Sequence, residues 1–198
     1  MMFYEQIRES YRQLNYKFKE TELGLNLYGF RTKNSQSNQF DDLIGCAWKE
    51  GGRTYVYEFP STTDPGKYWL QNPMKKEGCA IMVPGQYIEC YEKGLHNGKY
   101  DAFKQCAKMA YVRDNDKNTE LDFSLYRDPE KAKKNIFWDI IGSNLHRASE
   151  WQVIQWVEKY SASCQVIQNP ANFNKLIKLR DASMAKGYKK WDYTLFEE

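Results

Sequence analysis

Histidine is scarce in this chain: its 198 residues hold only two, His96 and His146. The five cysteines, Cys46, Cys79, Cys90, Cys106 and Cys164, are odd in number and scattered, with no CxxC pair and none at metal-ligand spacing from a histidine. That pattern argues against a disulfide framework and against a structural zinc, and no metal or other cofactor is expected. No apolar run reaches the length of a membrane span. The N-terminal "MMFYEQIRESYRQLNYKFKE" lacks the basic region and apolar core of a secretory signal, so the reading is of a chain made in the cytoplasm with no membrane span. An excess of one charge is missing too: 29 Lys plus Arg against 26 Asp plus Glu leave a net +3, without long blocks of one sign. "MKKEG", "KAKKN" and "YKKW" read as solvated turns and strand ends, and no nucleic-acid partner is expected. There are no repeats and no low-complexity segments.

What is present is a large apolar and aromatic content, 41% and 16%, enough for one respectable core, so residues 1–198 are read as one domain. Residues 3–16 space Phe3, Ile7, Tyr11 and Leu14 as an amphipathic helix. "ELGLNLYGF" alternates Leu23, Leu25 and Leu27 as a strand, and "RTKNSQSNQFDD" is a polar loop. Arg53 to Phe59 alternates aromatics, "STTDPGKY" is a turn, and "GCAIMVPGQYIECYEK" holds two apolar runs broken at Pro84-Gly85. Asn97-Gly98 in "GLHNGKY" is a strong hairpin signal, and "CAKMAYVRD" is a further strand. Asn169 as N-cap and Pro170 at the first position begin a helix that ends near Gly187. "KKWDYTLFEE" closes the chain as a strand.

The stretch "NLHRASEWQVIQWVEKYSASCQVI", residues 144–167, holds one histidine and the last cysteine. A thiol attacks as its thiolate, and an imidazole that takes its proton both activates and orients it. The 18 residues from His146 to Cys164 let two strand ends or adjacent loops face each other. "SASCQVIQNP" places Cys164 among small residues shortly before a helix. There, amides around Ser163 and Cys164 can point into open space and hold an oxyanion, a contribution of about 3 kcal/mol per donor. The plainer alternative is two buried residues, since a free cysteine often serves as a small hydrophobe.

His96 reads as a turn histidine, with a place in a substrate cleft as the alternative and a weak claim to being the base. "DNDKNTELD" spaces Asp114, Asp116, Asn118 and Asp122 like the start of a calcium loop. Thr119 stands where the loop's glycine belongs and Leu125 where its bidentate glutamate belongs, so a solvated turn is the better reading. Trp151, Trp156 and Tyr160 are read as core and hairpin packing, with sugar stacking or cleft capping as the alternative. No pair of carboxylates stands out for glycoside hydrolysis.

"LHR" at 145–147 and "SASC" at 161–164 resemble the L,D-transpeptidases of bacterial cell walls, where a histidine is followed after roughly fifteen to twenty residues by a Ser-x-Gly-Cys stretch on a β-rich domain. The match covers residues 141–169, and "STTDPGKY" loosely resembles the family's Thr/Pro/Gly turn. End to end, the chain is also similar to small proteins of tailed phages and their gut-bacterial hosts in which "NIHR" and "SAGCQV" type motifs recur.

The resemblance implies an α+β fold, a β-rich single domain like the L,D-transpeptidase β-sandwich, with a helix at the start and another after the cysteine. It implies acyl transfer on a peptidoglycan stem peptide, with Cys164 as nucleophile, His146 as base, and Ser163 and Ser161 positioning the oxyanion. An amine acceptor would make a cross-link and water a hydrolysis. A phage-type protein is expected to cut the wall after lysis or delivery, or to ride in the virion, and the competing class is a wall-binding or virion protein that keeps the fold without activity. The sequence departs from the family in three places: Ser163 stands where the family has glycine, Ala162 where many members have a second histidine, and Val166 where they have arginine. Arg147 is the candidate to replace that arginine on a substrate carboxylate. An activated Cys164 is expected to alkylate faster than the other four cysteines at mildly acidic pH.

Overall fold

A computed structural model describes residues 2–197. The first helix, α1 (Tyr4–Gln13), turns its Tyr4, Ile7 and Tyr11 face onto Tyr28, Ala47 and Phe196. Phe3 and Leu14, expected on that face, are exposed instead. The helix begins one residue after Phe3, whose amide donates to Gln6 Oε1 at 2.7 Å. The buried seam therefore runs 4, 7, 11.

The chain continues through β1 (Asn26–Arg31), β2 (Asp42–Glu50), β3 (Arg53–Thr62), α2 (Lys67–Gln71), β4 (Cys79–Met82), β5 (Gly85–His96), β6 (Tyr100–Gln105) and β7 (Met109–Asp114). It then forms α3 (Ser124–Arg127), α4 (Pro129–Asn135), β8 (Phe137–Asp139), β9 (Leu145–Arg147), β10 (Gln165–Ile167), α5 (Pro170–Ala185) and β11 (Lys190–Glu197). Local chemistry accounts for many boundaries. Asn97 and Gly98 both take positive φ, 50° and 70°, and Lys99 N–H donates to the His96 carbonyl at 2.9 Å, which is the turn that an Asn-Gly pair favours. The Asn169 side chain accepts from Ala171 N–H and Pro170 opens α5. "KAKKN" is not a turn but lies in α4: Asp128 accepts from the Glu130 and Lys131 amides and Pro129 sits at the first helical position, so the start signal was Asp-Pro rather than anything in the lysines.

Eight strands close into a barrel in the order β1-β11-β5-β6-β9-β10-β3-β2, and β4, β7 and β8 form a separate three-stranded sheet. The domain is β-rich with helices, as expected, but a closed barrel replaces the expected sandwich. Closure comes from β1, which pairs parallel with β11 and antiparallel with β2, a contact between the two ends of the chain that no local periodicity encodes. Leu25, Leu27, Ile44, Tyr91, Phe103, Trp191 and Tyr193 fill the core, with Phe173, Leu176 and Leu179 of α5 packed in the same cluster, each side chain contributing about 2 kcal/mol by burial. The wall is thinnest between β6 and β3, where β9 and β10 are three residues each and β6 meets β9 through the single registered pair Phe103↔Leu145.

Barrel and small sheet are joined by a buried cation. Arg31, at the end of β1, is fully buried and lies 2.8 Å from Asp64 Oδ1. It also donates to the Met82 carbonyl of β4 at 2.9 Å, to Thr63 Oγ1 at 3.2 Å and to Tyr126 Oη at 3.0 Å. A buried ion pair is costly to break from one side because the remaining charge loses its partner. Arg31→Met is expected to lower the unfolding free energy by about 3–5 kcal/mol, read as the shift in urea midpoint, whereas Arg8→Met on the exposed face of α1 should change it by less than about 1 kcal/mol.

Candidate functional site

The barrel wall sets the site. β10 runs parallel to β9 with Gln165 opposite Leu145 and Val166 opposite His146. Leu145 and Ile167 join the barrel core, so the alternation of the strand turns His146, Cys164 and Val166 to the outer face. There Cys164 and Val166 pack with Ala148, Phe40 and Ile154, beneath the crossover of residues 148–164 that a parallel pairing requires. Val166, at the position where the resembled family has arginine, is fully buried in this cluster.

Two loops are laced together to hold the cysteine. Ser143 Oγ donates to the Ser163 carbonyl at 2.7 Å, Gln165 N–H to the Asn144 carbonyl at 2.9 Å, and Cys164 Sγ to the Gly142 carbonyl at 3.4 Å. Gln105 fixes the first loop by accepting from Ser143 N–H at 2.8 Å and Ile141 N–H at 3.1 Å. The "STTDPGKY" turn seats the second: Gly66 N–H donates to the Ser161 carbonyl at 2.8 Å, and Gln165 Nε2 to the Thr63 carbonyl at 3.3 Å. A Cβ on Gly66 would lie 2.0 Å from the Glu158 carbonyl oxygen, so only glycine permits this approach.

His96, His146 and Cys164 converge, with one donor atom of each within 4.8 Å of the other two. Among the described residues they are the group of histidine, cysteine or acidic side chains placed to share one ion. His146 Nδ1 lies 2.7 Å from the Arg147 carbonyl and 3.0 Å from Tyr100 Oη. The carbonyl can only accept, so Nδ1 carries the ring proton and Nε2 presents a lone pair. His146 is 1% exposed and, among the described residues, its Nε2 has no hydrogen-bond partner. The His96 ring stacks on His146 at 3.8 Å between centroids, and Asn144 Nδ2 donates to His96 Nδ1 at 3.2 Å. His96 therefore ends β5 beside its turn, as expected, yet belongs to the cluster. The turn signal accounted for its neighbours and concealed that its ring packs on His146.

Burial governs the protonation states. Desolvation, with the neighbouring His96 second, lowers His146 from 6.5 to about 3. Burial pushes the Cys164 thiol up to about 11, only partly offset by the Asn144 backbone. The resting pair is a neutral thiol beside a neutral imidazole, not a preformed thiolate, so fast alkylation of Cys164 at mildly acidic pH no longer follows.

Ser163 has φ 140°, in the region that favours glycine and costs other residues about 1 kcal/mol or more. Its amide is committed to Ser161 Oγ at 3.3 Å, and Ser161 Oγ itself donates to the Cys164 carbonyl at 2.9 Å. Both serines brace the backbone around the cysteine, which leaves the Cys164 amide as the donor beside the thiol. Arg147, expected at a substrate carboxylate, is engaged by Glu150 at 3.2 Å and lies over the Tyr100 ring at 4.1 Å.

Cys164 instead lines a cavity of about 340 Å³ whose charged residues are Lys75, Arg113 and Asp139. Arg113, from β7, donates to the Gly78 carbonyl at 3.0 Å and stacks on Tyr111. Trp151, Trp156 and Tyr160, expected as packing, are 87%, 49% and 40% exposed along the crossover. Residues 115–118 of the acidic loop are exposed, whereas Asp114 is buried at the end of β7; Asp116 and Asp114 accept from the Asn118 and Asp122 amides.

Two outcomes follow from this geometry. Ser163→Gly is expected to stabilise the fold by about 1 kcal/mol, read by urea denaturation, because it relieves the positive φ. The second concerns pH. With His146 held near 3 in the fold against 6.5 when exposed, the unfolded chain binds a proton between those values that the native chain excludes. Stability is thus complete above the upper value and falls as pH drops towards the lower one, on the order of 1 kcal/mol per unit. In chelator-treated buffer, His146→Gln should flatten that slope, although His96, also lowered by burial, retains a share.

No protein-family model, curated protein or solved structure matches the chain.

Proposed function

We propose that the protein carries out acyl transfer on peptidoglycan stem peptides, with Cys164 as nucleophile and His146 as general base. The observation that carries this reading is a buried His146 whose Nε2 is unpartnered among the described residues, on a ring with one nitrogen within 4.8 Å of the Cys164 thiol and an orientation fixed by the Arg147 carbonyl and Tyr100. As Sγ attacks the carbonyl of a diamino-acid to D-alanine bond, Nε2 takes the thiol proton. The Cys164 amide is the backbone donor assigned to the oxyanion that forms. Collapse expels the amine of D-alanine, which takes the proton from His146, and leaves a thioester. Water or a second amine then attacks the thioester, its proton passing through His146, and the thiol is restored.

The neutral resting pair suits proton transfer during attack rather than before it. Arg113 and Lys75 on the cavity wall are suited to a substrate carboxylate and Asp139 to an amine, a chemical match to a stem peptide that bears both. A second reading, a wall-binding or virion component without activity, is favoured by the high thiol pKa and by the three exposed crossover aromatics.

The intact mass of the protein after incubation with muropeptides separates the two. The expected result is a mass gain corresponding to an acylated Cys164 with release of D-alanine, lost in Cys164→Ala and slowed by about a hundredfold or more in His146→Gln. Binding of muropeptides with no adduct, and D-alanine release equal to that of Cys164→Ala, would overturn acyl transfer in favour of the binding module.

A further inference from the structure

We propose that His96, His146 and Cys164 form a zinc-binding site whose occupancy withholds the thiol from acyl transfer; the second half of this statement rests on the function proposed above, the first does not. Two imidazoles and a thiolate are a donor set suited to Zn²⁺, and three protein ligands with a fourth position open is a common zinc arrangement. The three donor atoms already lie within 4.8 Å of one another. Tetrahedral zinc, with Zn–N of about 2.0 Å and Zn–S of about 2.3 Å, asks for donor separations of roughly 3.3–3.7 Å. The donors therefore have to draw together, and the stacked rings, 3.8 Å apart with 24° between their planes, have to swing apart so that each points a nitrogen at the ion; His96 can supply this movement because it stands at the end of β5 beside the exposed Asn97-Gly98 turn.

The His146 ring itself points to a ligand here. The Nε2 of His146 is a buried acceptor with no partner, an arrangement that costs free energy unless something fills it. Its Nδ1 is held by a backbone carbonyl at 2.7 Å, the outer contact that commonly orients a metal-bound imidazole. His96 would give up one amide contact, with Asn144 at 3.2 Å or Asn97 at 2.9 Å. The cavity reaches Cys164 and not the two histidines, so the ion would approach from the thiol side.

The step balances without an oxidant. Zn²⁺ binds sulfur as the thiol proton leaves to solvent, and the imidazoles bind through lone pairs. The sulfur pair that would attack a carbonyl is then held in the Zn–S bond, and Nε2, the proposed base, is occupied as well.

The test uses the full chain and zinc chloride alone. Competition against a chromophoric chelator should show one equivalent bound, and Co²⁺ in place of zinc should give a thiolate-to-metal charge-transfer band. His96→Ala and Cys164→Ser should each weaken binding by roughly a hundredfold, with the Cys164 variant losing the charge-transfer band, while Asp116→Asn in the acidic loop changes neither. Zinc should raise the melting temperature of the unmodified chain and not that of His96→Ala, a readout that stands even if a variant is less stable in itself. Failure to bind zinc, or equal binding by His96→Ala, overturns the site.

Acyl transfer is read separately, as adduct mass in chelator and again with one equivalent of zinc. An adduct formed in chelator and abolished by zinc supports the inhibitory role, and an adduct formed equally in both overturns it. Zinc binding with no adduct under either condition keeps the metal site and removes the acyl-transfer reading, whereas an adduct in chelator without zinc binding does the reverse.

Discussion

The parallel pairing of β9 with β10 is the constraint on which the rest of the site depends. Each strand is only three residues long, yet together they complete the barrel between β6 and β3. Their register puts Val166 opposite His146 and so brings Cys164 to the same outer face. Parallel neighbours cannot be joined by a tight turn, so residues 148–164 must cross over, and that crossover adds Ala148 and Ile154 to the apolar cluster that holds Cys164. To return into β10, the chain must turn sharply at residue 163. The positive φ of Ser163 and the close approach of Gly66 to Glu158 are where this return is made.

The dryness that the crossover creates decides the electrostatics. Arg31 and His146 are both buried to within about a percent, with opposite results. The guanidinium cannot shed its proton, and it is met by Asp64, Thr63, Tyr126 and the Met82 carbonyl. The imidazole can shed a proton, meets no carboxylate among the described residues, and stays neutral. The thiol beside it is neutral for the same reason. A site built in this way stores a base and a nucleophile in uncharged form and has to bring in positive or developing charge from outside before either acts.

The parts of the fold that local chemistry determines were legible in the sequence. The Asn97-Gly98 hairpin, the Asn169-Pro170 start of α5, the break at Pro84-Gly85 and the last strand all rest on residues adjacent in the chain. The Asp-Pro start of α4 is equally local, and the lysines that follow it carry no boundary signal of their own. What was not legible depends on long-range pairing: barrel closure through β1 and β11, the small sheet, and strands as short as β9 and β10, which are too brief for a period to register. The same division runs through the site. His146 and Cys164 were found because they share one stretch of chain. His96 reads only secondarily as a cleft residue and Arg113 carries no signal at all, since the first arrives from the far end of β5 and the second from β7, and no spacing in the sequence joins those positions to the pair. Arg147 was proposed for the carboxylate because it stands beside the histidine in sequence, but its contacts are with Tyr100 and Glu150.

One geometric fact bears on both chemistries considered for the site: the buried lone pair at His146 Nε2. A thiol proton passing to it in a transition state and a zinc ion resting on it are alternative ways of satisfying the same atom, and they exclude one another. His96 is what separates them. Acyl transfer as written needs only Cys164, His146 and a donor for the oxyanion, whereas a metal needs a third ligand. The Asn97-Gly98 turn delivers that ligand by holding the end of β5 against β9, with the His96 ring stacked on His146 at 3.8 Å. A hairpin whose sequence accounts only for its own turn thus determines whether the wall site is a pair or a trio, and with it whether a soft metal ion competes with substrate for the same sulfur.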